Sequence, residues 1–386
     1  MTSSSTKCLV AFVTRDIEMN AIFYGNRRLA RKFIENGQEV DFVGLEGADQ
    51  EAVSTITEGA AALTLGARRV RQQILDLSRY FRTRQPDVIF ASGFNESLAC
   101  VLASWLAKRR PTIVARVHIV ASVYLRDQKS FFDRHLSKRL MAWAFRPPVK
   151  VVAVSADAAR DFEQLLSFVR GSVAVVYDPV LDDLPRPARR WTHPWLENKA
   201  LRLVLAAGVL VPRKGFTTLI RAFAKLAPDN PNLRLLIAGE GPQRNELEAL
   251  IDDLGLRQSI ELPGFIPNPD LPYYRADLFA LSSVYEGLGN VIVEALAAGC
   301  PVVSTDCPVG PAEILEGGRL GELVPIGDAD AMAAAIYRAL QAPVPAKALK
   351  TRARDFHVDI VWPAMATLAG IETSPSRWAQ PSRSSS

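Results

Sequence analysis

Short β-branched apolar runs alternate with segments of helical apolar spacing along this chain, and the alternation occurs twice. In the first stretch, Leu9 to Val13 is followed by a helical pattern over Asn26 to Glu35 and, after Gly37, by Glu39 to Val43. The rhythm continues with a helix near Val70 to Arg82, a strand at Asp87 to Ala91, a helix near Leu98 to Lys108, and strands at Thr112 to Arg116 and Val149 to Val154. Consecutive parallel strands need a long crossover, usually a helix, and strands buried on both faces read as continuous apolar runs. The pattern therefore predicts a parallel sheet covered by helices on both faces. It breaks between Asp182 and Lys199, where Pro185, Pro187 and Pro194 stand among arginines and tryptophans, which reads as an interdomain linker. It restarts with strands at Leu201 to Ala206, Leu233 to Ala238, Ile260 to Leu262, Leu278 to Leu281 and Pro301 to Ser304, interleaved with helices at Phe216 to Leu226, Asn245 to Leu254 and Val291 to Ala298. The expectation is an α/β protein of two doubly wound domains, residues 1–185 and 200–345, joined by a linker at 186–199. Residues 346–372 are expected to form a helical segment packing back on the first domain, and the Ser/Pro/Arg-rich residues 373–386 a disordered tail.

Composition bounds the function classes. At 386 residues, and about 150 residues per domain, two domains are the simplest division. Hydrophobic residues at 48% and charged residues at 23% exclude a disordered or fibrous chain. The net charge of +5 hides an asymmetry: 28 Lys and Arg against 20 Asp and Glu precede Trp195, and 18 against 21 follow it. A basic first half suits phosphate, anionic lipid or nucleic acid as a partner, and equally an ordinary solvated surface. Met1 to Val13 lacks a signal-peptide cleavage pattern, and no run approaches the roughly 18 apolar residues that span a bilayer. Four cysteines, without zinc-ligand spacing, fit reduced thiols. The expected location is the cytoplasm, with any membrane contact peripheral at the inner face of the cytoplasmic membrane. Lys129 to Arg146 mixes Phe131, Phe132, Leu136, Leu140 and Trp143 with basic side chains; it reads either as a packed amphipathic helix or as one lying on an anionic membrane. No aromatic-basic RNA motif or reading helix is present, so nucleic acid is set aside.

The segment richest in chemistry runs from Ser282 to Asn290 (SSVYEGLGN) into Val291 to Gly299. A strand ends, a Gly-rich loop follows, Asn290 is placed to cap a helix, and Gly299 with Pro301 stops it. The first amides of such a helix have no intrahelical partners and form an anion site suited to a pyrophosphate. Of Glu286 in the loop and Glu294 one turn into the helix, one could hold a ribose diol and the other a hydroxyl-rich group beyond the phosphates; the same two acids also read as simple partners of the helix dipole. Asp328-Ala329-Asp330 spells a metal-binding DxD but precedes a helical run and reads as a helix start, so no metal site is expected. Gly239-Glu240-Gly241 opens like a dinucleotide fingerprint, but Arg244 replaces the third glycine, and no Walker motif appears.

Glu286 and Glu294, seven residues between them, with Gly287, Leu288, Gly289 and Asn290 after the first, resemble the E-x7-E signature of retaining family-4 glycosyltransferases of the GT-B fold. Gly208 to Phe216 (GVLVPRKGF), Ile237 to Pro242, Pro263 to Ile266 and Ser304 to Pro311 resemble the family's consecutive donor-domain motifs, in order. Arg116-Val117-His118, Val152 to Ser155 and Val176 to Val180 carry a weaker resemblance in the first half. The resemblance implies two Rossmann-like domains facing across a cleft. It further implies transfer of a sugar, with retained anomeric configuration, from a nucleoside diphosphate sugar, here expected to be a UDP-sugar, to a glycan or lipid-linked acceptor. No cofactor and no metal are implied.

Carried over, the resemblance assigns Glu294 to the ribose hydroxyls and Glu286 to the donor sugar. The loop amides of Leu288, Gly289 and Asn290 go to the phosphates or the sugar, Gly208 and Gly287 to the donor, the Ile266 backbone to the base, and His118 to the neighbourhood of the sugar. Lys214, with Arg213 beside it, would neutralise charge on the leaving diphosphate. Two positions depart from the family: Val209 stands where an arginine is usual, and Asp16 to Asn26 offers only Gly25 where a Gly-Gly pair is usual. A nucleotide-sugar epimerase, or a degenerate donor-binding subunit, remains an alternative on the same fold.

Overall fold

A computed structural model describes residues 7–56, 59–66, 69–118, 120–126, 131–166, 169–182, 191–266 and 271–372, without the side chains of 131–134. The described residues up to Asp182, together with those from His357 onward, form one compact unit, and those between form a second.

The first unit holds a parallel seven-stranded sheet: β1 (Leu9–Ile17), β2 (Glu39–Ala48), β3 (Ala60–Thr64), β4 (Val88–Ser92), β5 (Thr112–Val117), β6 (Lys150–Ala153) and β7 (Ala174–Val175), in the order β3-β2-β1-β4-β5-β6-β7. The apolar runs of β1 and β4 are buried as a central parallel strand requires. Phe12 on β1 stacks between Phe42 on β2 and Phe90 on β4, at 5.6 and 5.3 Å between centroids, so one side chain ties three adjacent strands. The second unit holds a parallel six-stranded sheet: β8 (Arg202–Ala207), β9 (Leu233–Ala238), β10 (Ile260–Gly264), β11 (Leu278–Leu281), β12 (Val302–Thr305) and β13 (Glu322–Val324), in the order β10-β9-β8-β11-β12-β13. The helix Phe216–Leu226 turns Leu219, Ile220 and Phe223 into this core, the i, i+1, i+4 face that its sequence encodes. Both sheets are doubly wound.

Two expected boundaries move. Residues 191–199, read as linker, pack on the second unit: Arg234 lies over the Trp195 ring at 5.6 Å, and His193 Nε2 is 3.0 Å from Glu261. The large ring area and the imidazole find partners there, which proline content alone does not reveal. Residues 346–356 also stay with the second unit, because Arg352 donates to the carbonyls of Ile314 and Glu313 at 3.1 and 2.9 Å. The return to the first unit begins at His357. The helix Val358–Ala369 seats Trp362 edge-on against Phe33 at 4.6 Å, pairs Asp359 with Lys32 at 2.6 Å and buries Met365 completely. Residues 373–386, expected to be a tail, lie outside the described residues.

Candidate active site

In the second sheet the chain winds outward from β8 to β10 and then jumps back to β11, so β8 and β11 are neighbours whose following loops diverge. The ends of such strands are where open α/β sheets take ligands. The loop after β8 closes with a short turn, Pro212–Lys214, ended by Gly215 at φ +64°. A Cβ at Gly215 would stand 2.1 Å from the carbonyl oxygen of Ser282, so only glycine lets this loop touch the one after β11. The two loops are then bonded together: Ser282 Oγ donates to the Lys214 carbonyl at 2.8 Å, and the Val284 amide donates to the Arg213 carbonyl at 2.7 Å.

This junction brings Lys214 onto Glu286. Lys214 Nζ donates to Glu286 Oε1 at 2.5 Å, Ser283 Oγ donates to the same oxygen at 2.6 Å, and Arg213 Nη1 is 3.9 Å from Oε2. Lys214 and Glu286 are both buried, whereas Arg213 is more exposed, its guanidinium 5.9 Å from the Tyr285 ring centroid. Removing two charges from water is costly, so the burial of this pair is weak evidence for a role in net stability. Two cations against one carboxylate leave an excess positive charge suited to an anion.

Beyond the loop, the helix Asn290–Ala298 starts with Gly289 as its cap residue, at φ +93°. The expectation that Asn290 caps the helix is corrected: Asn290 is the first helical residue, because the left-handed turn at Gly289 takes the flanking position. The helix start has no side-chain cap and no acid in its first turn. Amides at an uncapped start are available to an external anion. One turn on, Glu294 Oε2 accepts from Tyr273 Oη at 2.8 Å; burial first, and then the Glu294 charge, push the Tyr273 phenol well above its ordinary value. Leu288 and Ile266 are buried, and Gly208 follows β8 directly. Val209 is half exposed. Asp328 caps the helix Ala329–Gln341 by accepting from the Ala331 amide at 2.9 Å, and Asp330 pairs with Lys225 at 2.8 Å, so the DxD spelling has structural partners on both acids.

His118 belongs to the first unit. There the β1 and β4 ends also diverge, and a cavity of about 510 Å³ opens between them, lined by Asp16, Asn20, Glu96, His118 and Tyr124 among others. Burial raises the Glu96 carboxyl above its ordinary value. His118 Nδ1 is 3.1 Å from Asp178 Oδ2; the other Asp178 oxygen accepts from Arg116, whose guanidinium also donates to Asn26. Burial pushes the Asp178 carboxyl up, but the His118 and Arg116 charges and hydrogen bonds outweigh it and hold it at about 2. His118 Nε2 is buried without a hydrogen-bond partner among the described residues.

Lys214, Arg213 and Glu286 thus meet at one junction, with Gly287 to Asn290 leading from it to the helix that carries Glu294. Four supporting residues escaped sequence reasoning. Ser283 gave a signal in its place three residues before Glu286 at a strand end. Asp178 showed only as part of the Val176 to Val180 run, without a role, and Tyr273 and Asn26 gave no signal, because their partners lie 21 and 90 residues away.

The chain matches the family descriptions "Glycosyltransferase Family 4" over residues 25–183 and "Glycosyl transferases group 1" over residues 188–356. It is 31% identical, over 229 residues, to the N-acetylgalactosamine-N,N'-diacetylbacillosaminyl-diphospho-undecaprenol 4-alpha-N-acetylgalactosaminyltransferase of Campylobacter jejuni, a match covering 58% of this chain and 60% of that one. It is 40% identical, over 151 residues, to the lipopolysaccharide core biosynthesis glycosyltransferase LpsE of Rhizobium meliloti, covering 39% and 42%. The matches therefore span less than two thirds of these curated relatives. Among solved structures, HepE of Anabaena in complex with UDP and glucose superposes with a TM-score of 0.76 at 20% identity, covering 94% of this chain and 100% of that one. Taken with the two doubly wound sheets, the family matches show that the chain belongs to the family-4 glycosyltransferases of the GT-B fold.

Proposed function

We propose that this protein is a retaining glycosyltransferase that moves a sugar from a nucleoside diphosphate sugar, most simply a UDP-sugar, to a glycan or lipid-linked acceptor in polysaccharide or lipopolysaccharide assembly. The observation that carries the reading is the Lys214–Glu286 pair at the β8–β11 junction, followed by an uncapped helix start. In this reading the amides of Leu288, Gly289 and Asn290 bind the diphosphate. Lys214 and Arg213 offset the charge that grows on it as the glycosidic bond breaks, and no metal is required. Glu294, oriented by Tyr273, takes the ribose hydroxyls, and Glu286, oriented by Ser283, takes hydroxyls of the donor sugar. Gly208 and Ile266 border the donor. His118, with its tautomer fixed by Asp178, is the first unit's candidate for a sugar contact, and the cavity beside it is assigned to the acceptor. Peripheral contact with an anionic membrane at the inner face of the cytoplasmic membrane belongs to the same reading.

UDP as the donor nucleotide draws support from the HepE complex, which holds UDP. Acceptors of the polysaccharide class draw support from the lipopolysaccharide role of LpsE. A second reading, a donor-binding subunit without turnover, rests on Val209, which puts an exposed apolar side chain where the family usually has a cation. The test is a thermal-shift screen of nucleoside diphosphates and their sugars, followed by nucleotide release with and without glycan acceptors. Stabilisation and acceptor-dependent release are expected. Stabilisation without release would favour the second reading, and no stabilisation by any nucleotide would overturn both.

A further inference from the structure

The first unit carries a second surface that the donor and acceptor assignments leave unused. At the N-terminal ends of β5 and β6, opposite the ends that border the 510 Å³ cavity, the helices Phe94–Ala107 and Phe131–Ala144 bring Trp105 and Trp143 together edge-to-face, 5.1 Å between centroids. Trp105 is 68% exposed, and Leu106, Leu136 and Leu140 are exposed beside it or along the same helix stripe as Trp143. A groove of about 1020 Å³ runs between the two helix ends and has no acidic residue in its lining.

Five basic side chains border this stripe. Lys108, Arg109, Arg110, Lys138 and Arg139 have no carboxylate partner among the described residues, whereas Arg244, Arg257, Arg319 and Arg338 of the second unit each pair with an acid. An exposed indole and leucines edged by Lys and Arg match the boundary between headgroups and acyl chains, where the apolar groups insert and the cations meet lipid phosphate. A second copy is a poor occupant, because a two-fold contact would set the same five cations against one another. We propose that this stripe docks on an anionic lipid bilayer, with Trp105, Leu106, Leu136 and Leu140 as the inserting groups and Arg109, Arg110 and Lys108 as the phosphate contacts. The proposal deepens the membrane contact suggested above by assigning its surface, which includes the Trp105–Arg110 segment as well as the helix singled out in the sequence. It also leaves the strand ends that border the cavity at the opposite pole of β5.

The test is co-sedimentation of the full chain with vesicles of phosphatidylcholine alone and of phosphatidylcholine mixed equally with phosphatidylglycerol, at low and high salt, while tryptophan emission is followed. Sedimentation with the mixed vesicles only, a blue shift, and release at high salt are expected. Arg109→Glu with Arg110→Glu should lower partitioning by more than about tenfold, because each basic residue contributes separately to attraction by the anionic surface. Trp105→Ser with Leu106→Ser should lose the blue shift, and Arg221→Glu, at an exposed position of the second unit, should change neither. Nucleotide-induced thermal shifts on the same variants separate this surface from the donor site. The proposal fails if the wild type does not sediment with the mixed vesicles, if both double variants partition like the wild type, or if the stripe instead mediates self-association that Trp105→Ser abolishes.

Discussion

Two buried carboxylates, one in each unit, are held by cations in different ways. Asp178 spends both oxygens on groups of its own unit, one on Arg116 and one on His118, and Arg116 is completely enclosed. Glu286 gathers Lys214 and Ser283 on one oxygen, with the more exposed Arg213 3.9 Å from the other, at a junction of two loops next to an uncapped helix. In the first arrangement the carboxylate is satisfied by internal partners and reports on folding; what remains there for a ligand is His118 Nε2, unpartnered among the described residues, and not the acid. The second keeps a cation excess beside a helix start without a side-chain cap, and is the one proposed to bind. The comparison teaches that burial of an ion pair does not by itself mark a functional site; what remains unsatisfied around it does.

The comparison can be broken by substitution. Asp178→Ala leaves the enclosed Arg116 without its counter-charge and should cost about 3–5 kcal/mol of stability, read as a lowered urea midpoint. Lys214→Ala should cost less stability, because Glu286 keeps Ser283 and the more exposed Arg213 as partners, and should lower sugar transfer by about 10²–10³-fold, the usual loss when one group stabilising developing charge is removed. An equal stability loss in the two variants would erase the distinction.

Acid sharpens it further. The Asp178 carboxyl is held at about 2 against an ordinary value of 3.8, so the stabilisation it provides is complete above the ordinary value and is lost as pH falls through that window. The loss should be on the order of 2 kcal/mol, and Asp178→Asn should remove this segment of the pH dependence of stability. The smallest effect is expected from Tyr273→Phe. It deletes the bond to Glu294 and should weaken nucleotide binding by about 1–2 kcal/mol, measured by titration calorimetry, with little change in turnover at saturation.

The two sheets were readable because central parallel strands demand apolar runs, and β1, β4, β8 and β9 supply them. β3 (AAALT) was not readable: it lies at the sheet edge, is largely exposed and carries little β-branched content. β7 and β13, at two and three residues, are too short for any periodicity. The candidate site was legible where its chemistry is local, as in the run from Ser282 through Glu294. Its supports were not, since Tyr273 reaches Glu294 and Arg116 reaches Asp178 only through the fold. Asn290 misled because a good capping residue lost the position to a glycine able to take a left-handed turn. The chain's return to the first unit was placed too early because both C-terminal helices look alike in sequence, and only the Arg352 and Trp362 contacts separate them.

The central claim is that the second unit binds a nucleoside diphosphate sugar between the Lys214–Glu286 junction and the helix carrying Glu294. Its most direct test is titration calorimetry of the wild type, Lys214→Ala and Glu294→Ala with UDP and other nucleoside diphosphates. Saturable binding of at least one nucleotide by the wild type, weakened in both variants, is the predicted result. Binding that neither variant weakens, or no binding of any nucleoside diphosphate, would contradict it.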